Sequence, residues 1–221
     1  MKYIIILTAI LLIACNNNPN SIQVKDRIDS VLAATPKKDT MQMEKMNMGN
    51  PMLESMLATM KKMDTIKMKN DFDIDFANCM SIQHQAAIDM SELQIATGKN
   101  AEIIGMAKNI IAAQKDEIVQ FQKFVKDYKM PLTKMDNSDS QNILANAMKD
   151  MMKNLRGMKL LGDVDDNYVM LMISHHSTAI QMANNEIKYG KQKQMKNIAE
   201  KIISSQTKEV NRFVAWSTHL K

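Results

Sequence analysis

The chain is poor in the residues that interrupt or stiffen a fold. Six glycines and four prolines are spread over 221 residues, so few points can break a helix, and these two are the weakest helix formers. Aromatic residues make up 5%, with a single Trp, which excludes a core built mainly on large rings. Cysteine is confined to Cys15 and Cys79, too few for a disulfide framework. Alternating apolar and polar residues, the mark of a half-buried strand, occur nowhere. A one-sided charge is also missing. Lys and Arg number 29 against 24 Asp and Glu, a formal +5, and the two signs are interspersed. That pattern fits a solvated surface and gives no electrostatic footprint for nucleic acid.

The motifs that carry catalysis are absent as well. There is no Glu-x-x-His, the di-iron signature of carboxylate bundles. There is no His-Glu-x-x-His, Cys-x-x-Cys-His, or phosphate-binding glycine loop. No Ser-His-acid set has a local signature. The expectation is a protein that is not an enzyme.

Methionine is what the chain has in excess, 23 residues. Met is a flexible filler of irregular cores, and its thioether is also a soft, uncharged metal ligand. Composition alone does not choose between these roles. At the N-terminus, Lys2 precedes an apolar run that is too short to span a bilayer and ends in Leu12-Ile13-Ala14-Cys15. This reads as a cleaved export signal and resembles the bacterial lipobox, which implies acylation of Cys15. The expectation is a lipid-anchored protein of the cell envelope, on the periplasmic or outer-membrane face, touching membrane through its anchor only. Lys2 would leave with the signal, lowering the positive balance by one. Cys79 would be the sole remaining thiol. Asn16-Asn17-Asn18-Pro19-Asn20 resists packing and reads as a tether.

Sliding the chain by 92 residues uncovers a repeat. His84-Gln85-Ala86-Ala87-Ile88-Asp89-Met90 falls over His176-Ser177-Thr178-Ala179-Ile180-Gln181-Met182. The same offset pairs Met80 with Met172, Phe76 with Tyr168 and Gly98 with Gly190. It also pairs Gln114 with Gln206, Glu117 with Glu209 and Phe121 with Phe213. So many coincidences at one offset mean duplication. Each copy reads as a helical hairpin, with helices at about 71–97 and 101–128, then 165–189 and onward to 220, broken at Gly98 and Gly190. Apolar residues recur at three- and four-residue spacing. The expected architecture is all-α: a four-helix bundle of two duplicated hairpins, with additional Met-rich helices. The organisation is a signal peptide at 1–14, a lipidated tether at 15–40, a Met-rich segment at 41–70 and the first hairpin at 71–129. A Met-containing linker helix at 130–162 and the second hairpin at 163–221 follow.

On a helical wheel Met80 stacks with His84, and Met172 with His176, four residues apart. Met172, His175, His176 and Met182 fall on one side of their helix, and Met80, His84 and Met90 would face them in a symmetric bundle. Imidazole with thioether suits copper(I), or silver(I) as its surrogate, and poorly suits calcium or magnesium. Met41, Met43, Met46 and Met48 lie in an expected loop with little else apolar, which favours metal capture over packing. For Met52, Met56, Met60 and Met63 core and metal roles stay balanced. Cys79 faces Leu171 in the repeat and reads as a buried, inert thiol.

The run Met172-Ile173-Ser174-His175-His176-Ser177-Thr178-Ala179-Ile180-Gln181-Met182-Ala183 resembles the hallmark of the ferritin-like family known as domain of unknown function 305. The resemblance covers about 71–129 and 163–219, as two tandem copies. It implies a helical bundle and, through Met and His, extracytoplasmic copper binding and copper tolerance. Its implied partners are copper ions and a copper exporter or another periplasmic copper protein. The first copy departs from the hallmark, with Gln83 in place of the leading His and Ser91 in place of Ala. A different class of reading, a Met-rich module that docks partner helices without metal, stands beside it.

Overall fold

A computed structural model describes residues 49–129, 131–132, 139–158, 160 and 162–220. Six helices follow in order: α1 Pro51–Met63, α2 Phe72–Thr97, α3 Ala101–Asp127, α4 Asp139–Gly157, α5 Val164–Tyr189 and α6 Lys193–Trp216. A 3-10 turn, Ser217–Leu220, closes the chain. No strand occurs among the described residues, and none of their helices is long and apolar enough to cross a membrane.

Capping chemistry sets the helix starts. Asn50 accepts hydrogen bonds from the backbone N–H groups of Met52 and Leu53 at 3.0 and 3.1 Å, ahead of Pro51, where a missing N–H costs nothing. Asp71 caps α2, Asn100 caps α3 and Asp163 caps α5. The hairpins α2–α3 and α5–α6 pack as pairs, α2 lies against α5, and α1 and α4 cover that central pair. Surrounded in this way, α2 and α5 are buried on nearly every face, whereas α3 and α6 bury a single stripe. Inner helices therefore read as apolar all round and outer ones as amphipathic.

α2 and α5 run antiparallel, and a clasp closes each end of their contact. At one end Asp165 accepts the backbone N–H groups of Lys99 and Asn100 at 3.0 Å and the side-chain amide of Gln94. At the other, Asp73 accepts the N–H groups of Lys191 and Gln192 at 3.0 and 2.8 Å, and Glu186 stands where Gln94 stood. Asp73 and Asp165, like Gln94 and Glu186, are partners in the repeat. Each clasp explains its glycine. A Cβ on Gly98 would overlap the Gln94 amide, and one on Gly190 would overlap the Glu186 carboxyl. Close approach requires glycine at both turns, since the backbone φ is ordinary at −70° and −62°.

The methionines mostly serve the core. Met52, Met56, Met106, Met151, Met158 and Met170 join Met90 and Met172 in one buried cluster, and Met195 joins Met80 and Met182 in another. Of Met52, Met56, Met60 and Met63, the first two lie in this first cluster, Met60 packs against it, and Met63 is buried. A buried side chain of this size contributes about 1.5–3 kcal/mol. Met41, Met43, Met46, Met48 and Cys15 lie outside the described residues.

Candidate metal centre

The centre of the molecule is the crossing of α2 and α5, and a reciprocal bond marks it. The Gln83 side-chain amide donates to the His175 carbonyl at 3.0 Å, and His175 Nε2 donates to the Gln83 carbonyl at 2.8 Å. The two residues are 92 apart, which is the repeat offset, so the pseudo-twofold axis passes between them. A carbonyl only accepts, so the His175 proton sits on Nε2 and its Nδ1 carries the lone pair. Burial, reinforced by neighbouring His176 and opposed by the bond to Gln83, pushes the His175 pKa down to about 3. His175 stays neutral at any ordinary pH.

Either side of the axis, each hairpin repeats one arrangement. His84 Nε2 lies 2.7 Å from Glu117 Oε2, and His176 Nε2 lies 2.9 Å from Glu209 Oε2. A carboxylate accepts, so in both rings Nε2 donates, and in the neutral tautomer this selects, Nδ1 keeps its lone pair. The His84 ring packs on Phe121 with centroids 5.7 Å apart, and the His176 ring on Phe213 at 6.1 Å. All three imidazoles are at most 1% exposed, and all three Nδ1 atoms are buried without a hydrogen-bond partner. Leaving a buried acceptor unsatisfied costs about 1–3 kcal/mol. Three such atoms at the middle of one bundle are unusual.

Met80, Met90, Met172 and Met182 are fully buried, but they do not form one group. The expectation that Met172, His175, His176 and Met182 gather on one side of α5 is corrected here. Met172 belongs to the core cluster that holds Phe213, and Met182 to the cluster that holds Phe121. Ten residues along a helix amount to about 15 Å of rise and about 80° of turn, too far for one ion. The antiparallel register then chooses the pairs. Ser91 bonds Tyr168 at 2.7 Å, so Met90 lies on the same side of the crossing as Met172. Met80 falls on the other side with Met182.

No group of three or more His, Cys, Asp or Glu side chains able to hold a metal ion occurs among the described residues. Thioethers are the further soft donors that the described core supplies beside the imidazoles. The donor set fits a soft monovalent ion: neutral imidazole nitrogens with free lone pairs, and uncharged sulfur that needs no deprotonation. Cys79 does not join it. Its thiol is free and buried, and burial with nearby Asp75 pushes its pKa up to about 12, so the reactive thiolate is withheld.

Glu117 and Glu209 had no assigned role in the sequence reading, nor had Gln83 as a tie across the axis. A signal existed. Both glutamates coincide in the repeat and lie one turn after the buried Gln114 and Gln206. Two polar identities on otherwise apolar stripes ask for an interior partner.

Among solved structures, CopM in its Cu(I)-bound form is 26% identical, with a TM-score of 0.50 covering 67% of this chain and 96% of that one. CopM in its Ag-bound form, from co-crystallisation, is 26% identical with a TM-score of 0.51 over 66% and 96%. A DUF305 protein of Streptomyces coelicolor, 20% identical, shares the fold with a TM-score of 0.51 over 66% and 91%. No curated protein matches. The model of the domain of unknown function DUF305 matches residues 23–125 and 73–217, the second stretch taking in both hairpins. Those two overlapping matches span most of the chain, which belongs to the DUF305 family.

Proposed function

We propose that the protein is an extracytoplasmic lipoprotein that binds copper(I) through Met and His, and buffers, sequesters or hands on the ion without catalysing a reaction. The observation that carries this reading is the set of three buried imidazoles that each spend Nε2 on a protein acceptor and keep Nδ1 unpartnered, in a core that also holds fully buried thioethers. The copper and silver forms of CopM support the choice of ion. The N-terminal lipobox supports export and anchoring at Cys15, with a copper exporter or another periplasmic copper protein as the recipient.

The alternative of a Met-rich docking module draws no support from the described residues, among which no methionine is exposed. An anaerobic titration against a copper(I) chelator tests the reading. Wild type is expected to compete for copper(I), and His84→Ala with His176→Ala to bind less of it while staying helical by circular dichroism. A double variant that binds as much copper(I) as tightly as wild type removes the central site. Location is tested separately: wild type should partition with membranes, and Cys15→Ser should not be acylated.

A further inference from the structure

Resting on the copper reading, we infer that the chain holds two equivalent soft-metal sites, one in each hairpin. In each the ligating atom is Nδ1 of His84 or His176, and Glu117 or Glu209 is the positioning residue that selects it. The argument begins with the tautomer. A free imidazole can present either nitrogen to a metal, and the hydrogen bond made by the other one decides which. Here Glu117 and Glu209 engage Nε2 at 2.7 and 2.9 Å, so only Nδ1 can offer a lone pair. Carboxylates that orient ligand histidines in this way also raise the basicity of the ring.

Partition of the core gives the number of sites. The Phe121 that touches His84 shares its cluster with Met80 and Met182, and the Phe213 that touches His176 shares its cluster with Met90 and Met172. The repeat operation carries Met80 and His84 onto Met172 and His176, and carries Met90 onto Met182. One set therefore maps onto the other. His175 lies between them on the axis, where Gln83 performs the same bond from the opposite helix. Each buried ring is linked to a carboxylate that reaches solvent: the Glu117 and Glu209 side chains are 15% and 22% exposed.

The test is histidine-ring nitrogen NMR of the full-length protein in detergent, with silver(I) as a redox-inert probe and His84→Gln and His176→Gln for assignment. In metal-free protein both rings should show a protonated Nε2 and a bare Nδ1. Silver(I) should move both Nδ1 resonances in parallel, with the Nε2 protons retained. Glu117→Ala should mix the tautomers of His84 alone and weaken silver binding in that hairpin about 10–100-fold. Glu117→Gln, which keeps an acceptor oxygen, should restore both the tautomer and much of the affinity. Glu209 should govern His176 in the same way. Silver bound at Nε2, a single ring shifted at saturation, or a metal-free wild type with protonated Nδ1 overturns this assignment and leaves copper binding standing. Silver bound with no ring shifted does the same. Failure of wild type to bind silver(I) or copper(I) at all overturns the copper reading with it.

Discussion

The two hairpins share one plan, and the positions where they part show which features depend on a proton. At the crossing, Gln83 in one copy and His175 in the other make the same bond to a backbone carbonyl. At the clasps, Gln94 donates to Asp165 through an amide that always has hydrogen to give. Glu186 faces Asp73 with a carboxyl that can donate only when protonated. Both Glu186 oxygens are buried without a hydrogen-bond partner. Burial raises its pKa first, the adjacent Asp73 adds to that, Lys196 opposes, and Asp71 adds a little. The result is about 10. The second hairpin thus depends on pH where the first does not.

Breaking either clasp should have the largest effect. Gly98→Ala and Gly190→Ala each force a Cβ into the group that closes the turn, and each is expected to destabilise by about 3 kcal/mol or more. Thermal unfolding of both variants measures this. A loss of under about 1 kcal/mol in either would show that its clasp yields freely.

Glu186→Gln should copy the first clasp onto the second. The unfolded chain ionises Glu186 above the ordinary glutamate value of 4.5, while the folded protein holds the proton up to about 10. Stability from this group is full below about 4.5 and is lost as pH rises toward about 10. The variant should therefore gain about 1–3 kcal/mol near pH 9, and its urea midpoint should fall less than wild type between pH 5 and pH 9. Equal pH slopes for the two proteins would count against a protonated Glu186.

His175→Gln would make the crossing symmetric. The wild-type ring stays neutral to about pH 3, whereas the unfolded chain protonates it below about 6.5. Wild type loses this contribution as pH falls from about 6.5 toward 3. The variant should lie within about 1 kcal/mol of wild type at pH 7.5, should lack that acid-side loss, and should still bind copper(I). A variant that unfolds, or that binds no copper(I), would make His175 more than a tie.

Cys79 against Leu171 offers the smallest effect. The thiol should react with a disulfide reagent no faster than the protein opens, and adding urea should speed the reaction in step with unfolding. Prompt labelling of native protein would contradict its burial.

Much of the site was legible from the chain. Helix bounds follow from caps and breakers that are local: Asp71, Asn100, Gly98 and Gly190 act within a turn of where they stand. The i, i+4 pairs Met80–His84 and Met172–His176 follow from helical geometry alone. The split between Met172 and Met182 was less visible, because a wheel projects away the rise along the axis. Glu117 and Glu209 were visible only as coincidences of the repeat, since nothing in α3 or α6 states which side chain lies opposite.

By itself, then, the sequence determined an all-helical duplicated hairpin, the candidate His and Met residues, and the azimuth at which each leaves its helix. These are local quantities, set by about 3.6 residues per turn and by capping. Only the tertiary structure decided which nitrogen of each histidine is spent, which thioethers share a side of the crossing, and that Gln94 and Glu186 face aspartates 71 and 113 residues away in sequence. Those depend on the register of two antiparallel helices, and register is a property of the packed pair rather than of either strand of sequence.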